Sequence, residues 1–262
     1  MYQDLFSLIG KTVVITGGAG HLGTEMTKCL AEFGAHVHVL GRNAANFAAF
    51  ECVTRENQAG GINCHVCDVR DVSRFREVLD LIHRQHGRID VLINNAAGGQ
   101  RASLEKIDKE AWTAGLEGSL SPYFTCSMEV SKYMIPARAG VIINNASIWS
   151  LVAPNKEMYL DLNNEPSLFV SAAKGAIIQM TRHMATFWAQ YNIRVNAFSP
   201  GWFPKRHGPD RPDYIHEITS RVPLRRIGSP RELAGVVVYL ASDASSYVTG
   251  QNIVVDGGYT IW

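Results

Sequence analysis

Short apolar runs alternate with longer stretches in which apolar residues recur every third or fourth position, and the alternation continues along the whole chain. The short runs are Thr12–Thr16, His36–Leu40, Ile62–Cys67, Ile89–Ile93, Val141–Asn145, Arg194–Phe198 and Asn252–Val255. Several read Val-Val-Ile, Val-Leu-Ile or Val-Ile-Ile, apolar at successive positions. A strand wetted on one face would alternate apolar with polar, so an unbroken run implies cover on both faces. Helical patterns lie near residues 21–33, 43–58, 71–86, 103–135, 167–190 and 230–241. Strand-helix-strand repetition of this kind predicts a parallel sheet built with right-handed crossovers. No repeat, low-complexity stretch or linker interrupts it. The expectation is one α/β domain over residues 1–262, a doubly wound parallel sheet of about seven strands.

Composition narrows the function classes. The 25 Lys and Arg nearly cancel the 24 Asp and Glu, leaving a formal charge of +1 and no global field to draw nucleic acid or anionic lipid. Hydrophobic residues make up 46% and charged residues 19%, a globular balance. No apolar run approaches the ~20 residues a membrane helix needs. Asp4 stands where a secretory signal would carry basic charge. The expected location is the cytoplasm, with neither nucleic acid nor membrane as partner. Five cysteines (29, 52, 64, 67 and 126) are an odd set for a disulfide framework. Cys64-His65-Val66-Cys67 has C-x-x-C spacing, but strand alternation puts its two sulfurs on opposite faces, and no second pair completes a metal set. The cysteines are therefore read as reduced core thiols, and no metal site is expected.

Directly after the first run comes Thr16-Gly17-Gly18-Ala19-Gly20-His21-Leu22-Gly23, and then a helical pattern carrying Met26, Cys29, Leu30 and Phe33. Gly18, Gly20 and Gly23 satisfy G-x-G-x-x-G, which lets a chain turn sharply, approach a pyrophosphate and pack a helix on a strand. The helix start offers unpaired N–H groups to the anion. Between a strand and a helix, this segment reads as a dinucleotide cradle in a Rossmann-type domain, with Gly17, His21 and Leu22 lining it. The second run ends in Leu40-Gly41-Arg42-Asn43. An acid there would bind ribose hydroxyls and favour NAD(H). Arg42 instead offers a guanidinium to a 2′-phosphate, so NADP(H) is favoured over NAD(H).

These residues resemble the short-chain dehydrogenase/reductase family along essentially the entire chain. The matches are the glycine loop at 16–23, Asp68-Val69, Asn94-Asn95-Ala96-Ala97-Gly98, Ser147, Ser-Ala-Ala-Lys at 171–174, Pro200-Gly201, Val248-Thr249-Gly250 and Val255-Asp256-Gly257-Gly258. The resemblance implies that Asp68 binds the adenine amino group and that Val69 flanks the ring. It implies that Asn94, Asn95, Ala96 and the loop to Gly98 line the cofactor channel and stabilise the central sheet, while Pro200 and Gly201 shape the loop beside the nicotinamide. Ser147 is expected to hydrogen-bond the substrate oxygen, and Lys174 to hold the nicotinamide ribose. The chain ending resembles relatives that associate, which implies a homo-oligomer, a dimer or a tetramer.

Two positions depart from the family pattern at its chemical centre. The family places a general acid/base Tyr four residues before the Lys; here Val170 stands there, with Phe169 before it. It also places an Asn seven residues beyond a Trp; counting from Trp112 reaches Ser119, and Pro122 follows where a helix should distort. His21 replaces a frequent Gly, and Lys205 a frequent Thr. Ser147 and Lys174 are then the expected catalytic pair, joined by Ser119. Tyr159, in the Pro154–Pro166 segment, is a substitute proton donor beside Lys174 itself or a bound water. About residues 202–230 should cover the substrate. Trp202 and Phe203 there are walls or packing residues, and Lys205, Arg206, Arg211, Arg221, Arg225, Arg226 and Arg231 are either a solvated face or a field for an anionic substrate. Within the family the chain looks most like sugar-acid-modifying, gluconate dehydrogenase-like members. The reading is an NADP(H)-dependent oxidoreductase acting on a carbonyl or alcohol of a small polar molecule. Its alternatives are a silent dinucleotide-binding or partner subunit and a non-redox lyase or isomerase.

Overall fold

Thr12–Thr16 is buried at every position and forms β1, flanked by a strand on each side. The structure, a computed structural model, describes residues 2–50, 60–98, 102–156, 167–204 and 212–262. Besides β1, its strands are β2 (His36–Gly41), β3 (Gly61–Val66), β4 (Val91–Asn94), β5 (Gly140–Asn145), β6 (Ile193–Pro200) and β7 (Asn252–Val255). They make one sheet in the order β3-β2-β1-β4-β5-β6-β7, every neighbouring pair parallel. Strand ends move by up to two residues from the sequence reading, and the architecture is the one expected.

Alternate side chains of the strands feed two cores. Val13, Ile15, Val91 and Ile93 meet α1 (Gly23–Glu32) and α7 (Ala234–Ala241) through Met26, Leu30, Val237 and Leu240. Val14, Leu92, Ile142 and Val195 meet α2 (Val72–His86), α4 (Ser121–Ala137) and α5 (Leu168–Trp188) through Phe75, Leu79, Val130, Met134 and Ala185. Helices therefore cover both faces of the sheet. Asp71 caps α2 by accepting from the Arg74 N–H, and Gly87, at φ 70°, ends it. The crossovers leave β1 and β4 in opposite directions, which opens a crevice at the carboxyl ends of the strands.

Three readings need correction. The pattern at 103–135 is not one helix: a short 3₁₀ turn (Leu104–Lys106) precedes α3 (Lys109–Ser119), and α4 starts afresh at Ser121. The break falls at Leu120, one residue before Ser121-Pro122, because proline suits the first turn of a helix and not its interior. In the 43–58 pattern the described part, Ala44–Phe50, is a 3₁₀ helix. Cys64 is exposed, not a core thiol, since β3 is an edge strand bare on one face. Cys67 and Cys126 are buried, Cys29 is half-buried, and all four are free; Cys52 lies outside the described residues. A further helix, α6 (Pro212–Ser220), lies within the segment expected to cover the substrate. Among the described residues no helix is long and apolar enough to cross a membrane, and no cluster is arranged to hold a metal ion.

Candidate active site

A cleft of about 870 Å³ follows the carboxyl ends of the strands. Arg42, Asn43, Asn46, Asp68, Val69 and Arg70 line it beside β2 and β3; Gly17, Gly20, His21, Leu22, Gly23, Asn95 and Ala96 line it where β1 meets β4. Pro122, Ser147, Phe169, Lys174 and Pro200 line it beside β5 and β6. Most residues singled out in the sequence thus converge on one cavity.

The loop after β1 has no room for side chains where its glycines lie. Gly17 sits at φ 63°, and a Cβ there would come within 3.0 Å of the Ala96 Cα. A Cβ on Gly23 would overlap the Gly17 carbonyl oxygen and lie 2.8 Å from the Gly18 Cα. Gly18 does not line the cleft; its missing side chain lets the loop settle onto Ile15 and Thr27. Helix α1 starts after Leu22 without a side-chain cap; the Thr24 N–H is taken by the Gly20 carbonyl at 2.9 Å, and the N–H groups of Leu22 and Gly23 are left to whatever the cleft holds. This uncapped start, set in a cradle that any Cβ would fill, fits a dinucleotide diphosphate. His21 also ties the loop to the chain after β6, its Nε2 donating to the Phe203 carbonyl at 2.8 Å.

At the β2–β3 end Arg42, directly after β2, lines the cleft, and Asn43 rather than an acid follows it. Asp68 lines the cleft beside it. Arg70 grips both of its oxygens, Nε to Oδ1 at 3.0 Å and Nη2 to Oδ2 at 2.5 Å. That fork, more than the smaller contribution of Arg42, holds the Asp68 carboxyl below its ordinary range. Arg70 is a second guanidinium at this end that sequence reasoning passed over.

At the other end a hydrogen-bond path joins the glycine loop to Lys174. The Asn95 Nδ2 donates to the carbonyls of Thr16 and Gly17 at 3.1 and 3.0 Å, so its Oδ1 must face Asn145, whose Nδ2 donates to it at 2.8 Å. The Asn145 carbonyl then accepts from the Lys174 Nζ at 2.5 Å and from the Tyr123 hydroxyl at 2.9 Å. The Lys174 Nζ also donates to the Tyr123 oxygen at 3.1 Å. Lys174 is 7% exposed, and burial lowers its pKa to about 7. Asn94 lies deeper, bonded to Asn144 of β5 and Ser127 of α4, and does not line the cleft.

Ser147 follows β5 and starts a short 3₁₀ turn. Its Oγ accepts from the Trp149 N–H at 3.2 Å, which leaves its own hydrogen free for another acceptor. Ser150 donates to the Ser147 carbonyl and braces the turn. Phe169 and Lys174 form the α5 part of the wall; Val170 is half-buried and does not line it. The Phe169 ring rests on Gly115 of α3, where any Cβ would overlap it. The Ser119 hydroxyl donates to the Gly98 carbonyl at 2.9 Å, and its side chain does not line the cleft. Gly201 lets Asp256 approach: a Cβ there would lie 2.7 Å from the Asp256 Cα. Tyr159, Lys205, Arg206 and Arg211 lie outside the described residues.

Of the basic residues beyond 202, Arg221 pairs with Glu217 and Arg226 with Glu232, each at 2.7 Å, while Arg225 lies over the Trp262 ring. These three are engaged within the protein. Trp202 packs edge-on against Trp149, Tyr214 and Tyr259 around buried Ile218 and Val222, which is a packing role.

The profile described as enoyl-(acyl carrier protein) reductase matches residues 17–260. The chain is 36% identical to a 3-oxoacyl-[acyl-carrier-protein] reductase of Thermotoga maritima, over 97% of this chain and 99% of that one. It is 33% identical to the gluconate 5-dehydrogenase of Gluconobacter oxydans, over 99% and 98%. Among solved structures, a gluconate 5-dehydrogenase from Burkholderia cenocepacia in complex with NADP and tartrate is 31% identical, covers 100% of both chains and superposes with a TM-score of 0.87.

Proposed function

The chain belongs to the short-chain dehydrogenase/reductase family, and from that premise we propose that it is an NADP(H)-dependent oxidoreductase acting on a carbonyl or alcohol of a small sugar-acid-like molecule. One observation carries the reading: a single cleft joins an uncapped helix start in a glycine cradle to a serine hydroxyl and a buried amine. The residues from Gly17 to Gly23, with Asn95 and Ala96, would hold the dinucleotide, which when bound exchanges a hydride with the substrate carbon. The Ser147 O–H would point at the substrate oxygen and polarise it. The Lys174 Nζ would give that oxygen a proton in the reducing direction and take it back in the oxidising one. Its proton affinity, near neutrality, suits both. A silent dinucleotide binder finds no support in relatives named as reductases and dehydrogenases. The sugar-acid class leans on the gluconate 5-dehydrogenases and the bound tartrate, and the acyl reductases are its competitors. We further propose a homo-oligomer in the cytoplasm; the exposed Phe124 and Met128 on α4 and Leu168 and Phe187 on α5 supply apolar surface for association.

NADPH consumption against a panel of keto-sugar acids and short 3-oxoacyl thioesters tests the reaction. Ser147→Ala is expected to lower the rate by about 10²–10³-fold. A wild-type protein no faster than this variant on every compound would refute the assignment. Arg42→Ala tests the cofactor. Loss of one charge-assisted contact to the 2′-phosphate should weaken NADP⁺ binding about 10–100-fold and change NAD⁺ binding by less than about threefold. Equal weakening of both would show that Arg42 does not read the phosphate.

A further inference from the structure

We propose that Tyr123 is the positioning residue for the Lys174 amine, its hydroxyl oxygen taking one hydrogen bond from Nζ so that the amine is held with one bonding direction left for the substrate oxygen. The inference rests on the reading of Lys174 as the proton carrier and adds what holds it.

The two residues are far apart in sequence, on α4 and α5, and the restart of α4 after Leu120 places Tyr123 in its first turn. Tyr123 is 1% exposed, and its hydroxyl hydrogen is committed to the Asn145 carbonyl at 2.9 Å. A phenol whose hydrogen is engaged can only accept from a second neighbour, and that neighbour is Nζ at 3.1 Å. Besides its carbon, a lysine nitrogen has three bonding directions. The Asn145 carbonyl and the Tyr123 oxygen fill two. The third carries an N–H when the amine is charged and a lone pair when it is neutral, which is what a proton donor and acceptor needs.

Tyr123 does not move the proton itself. It does not line the cleft, and burial pushes its phenol above its ordinary range, so it stays neutral wherever the enzyme would work. Besides Lys174, the titratable group facing the phenol is Cys126, also buried and neutral, and burial is what lowers Lys174. Accepting an N–H favours the ammonium, so removing the phenol oxygen should lower the proton affinity of the amine.

The test is Tyr123→Phe, read by ¹³Cε-lysine NMR titration of the full chain, with the Lys174 signal assigned by its loss in Lys174→Met. The Lys174 midpoint should fall by roughly half to one pH unit. The pH profile of NADPH-dependent reduction should move down with it. NADP⁺ affinity, measured calorimetrically, should stay within about twofold. An unmoved midpoint, or one that rises, overturns the proposal. If Tyr123→Phe does not fold, Tyr123→Met, which also lacks the hydroxyl, carries the same expectation. A wild-type protein that binds no dinucleotide would sink the functional reading and leave the Lys174 midpoint still able to judge Tyr123.

Discussion

Lys174→Met is expected to slow turnover by about 10²–10⁴-fold, the usual contribution of a positioned acid or base. Methionine fills a similar volume without an exchangeable proton, so the cleft keeps its shape and the loss should fall on kcat. In the wild type, reduction requires the ammonium and should decline as pH rises through about 7, whereas oxidation requires the free amine and should rise through the same point. Folding supplies an independent check. The amine titrates near 7 in the fold, against an ordinary 10.5. Between those values the unfolded chain holds a proton that the folded protein has released, so folding gains stability as pH rises. Below about 7 both states are protonated and the dependence vanishes. The stability difference between wild type and Lys174→Met should therefore be flat at acid pH and grow in favour of wild type from about 7 toward 10. Denaturant unfolding at pH 6, 8 and 10 measures it. A difference constant across that range would mean that the amine is not buried as described, and the proton path would fall with it.

The parts of this molecule that are legible in its sequence share a physical cause. Strands covered on both faces must be apolar throughout, so β1, β4 and β5 announce themselves, and a glycine that no side chain can replace marks the loop after β1. Pro122 marks the helix break because a proline removes a backbone donor wherever it sits. What stays hidden depends on contacts across the fold. Tyr123 reads as a core aromatic until Lys174, on another helix, is placed against its hydroxyl. Asn145 reads as a strand terminus, although its side chain reaches Asn95 and its carbonyl reaches Lys174. Arg70 is two residues from Asp68, yet only the turn after β3 folds its guanidinium back onto the carboxylate. Cys64 misleads for a related reason: alternation assigns a face to each side chain but cannot say that the strand is at an edge. Val170 is the instructive case. Its spacing from Lys174 is visible in the sequence, but the wall of the cleft is made by its neighbour Phe169, seated on Gly115.

Gly23→Ala is expected to abolish dinucleotide binding, weakening NADP⁺ by more than about 100-fold. By helix propensity alone the change should help, since alanine in a helix is about 1 kcal/mol better than glycine. Geometry reverses the sign. The new methyl would overlap the Gly17 carbonyl oxygen and press on the Gly18 Cα, both backbone atoms that no rotamer change can move. The loop has nowhere to retreat. Gly17 already lies against Ala96, and Gly18 is wedged over Ile15 and Thr27, so relief requires the start of α1 to shift from β1. That shift would misalign the N–H groups that the uncapped helix presents to the cleft, and it would loosen the seat of Met26 in the core beneath. Lowered thermal stability should therefore accompany the lost affinity, although the substitution is to a better helix former. Calorimetry with NADP⁺ and a thermal melt read both effects. A Gly23→Ala protein that binds within about threefold of wild type would show that the loop yields freely, and a loop that yields freely is not a rigid cradle for a diphosphate.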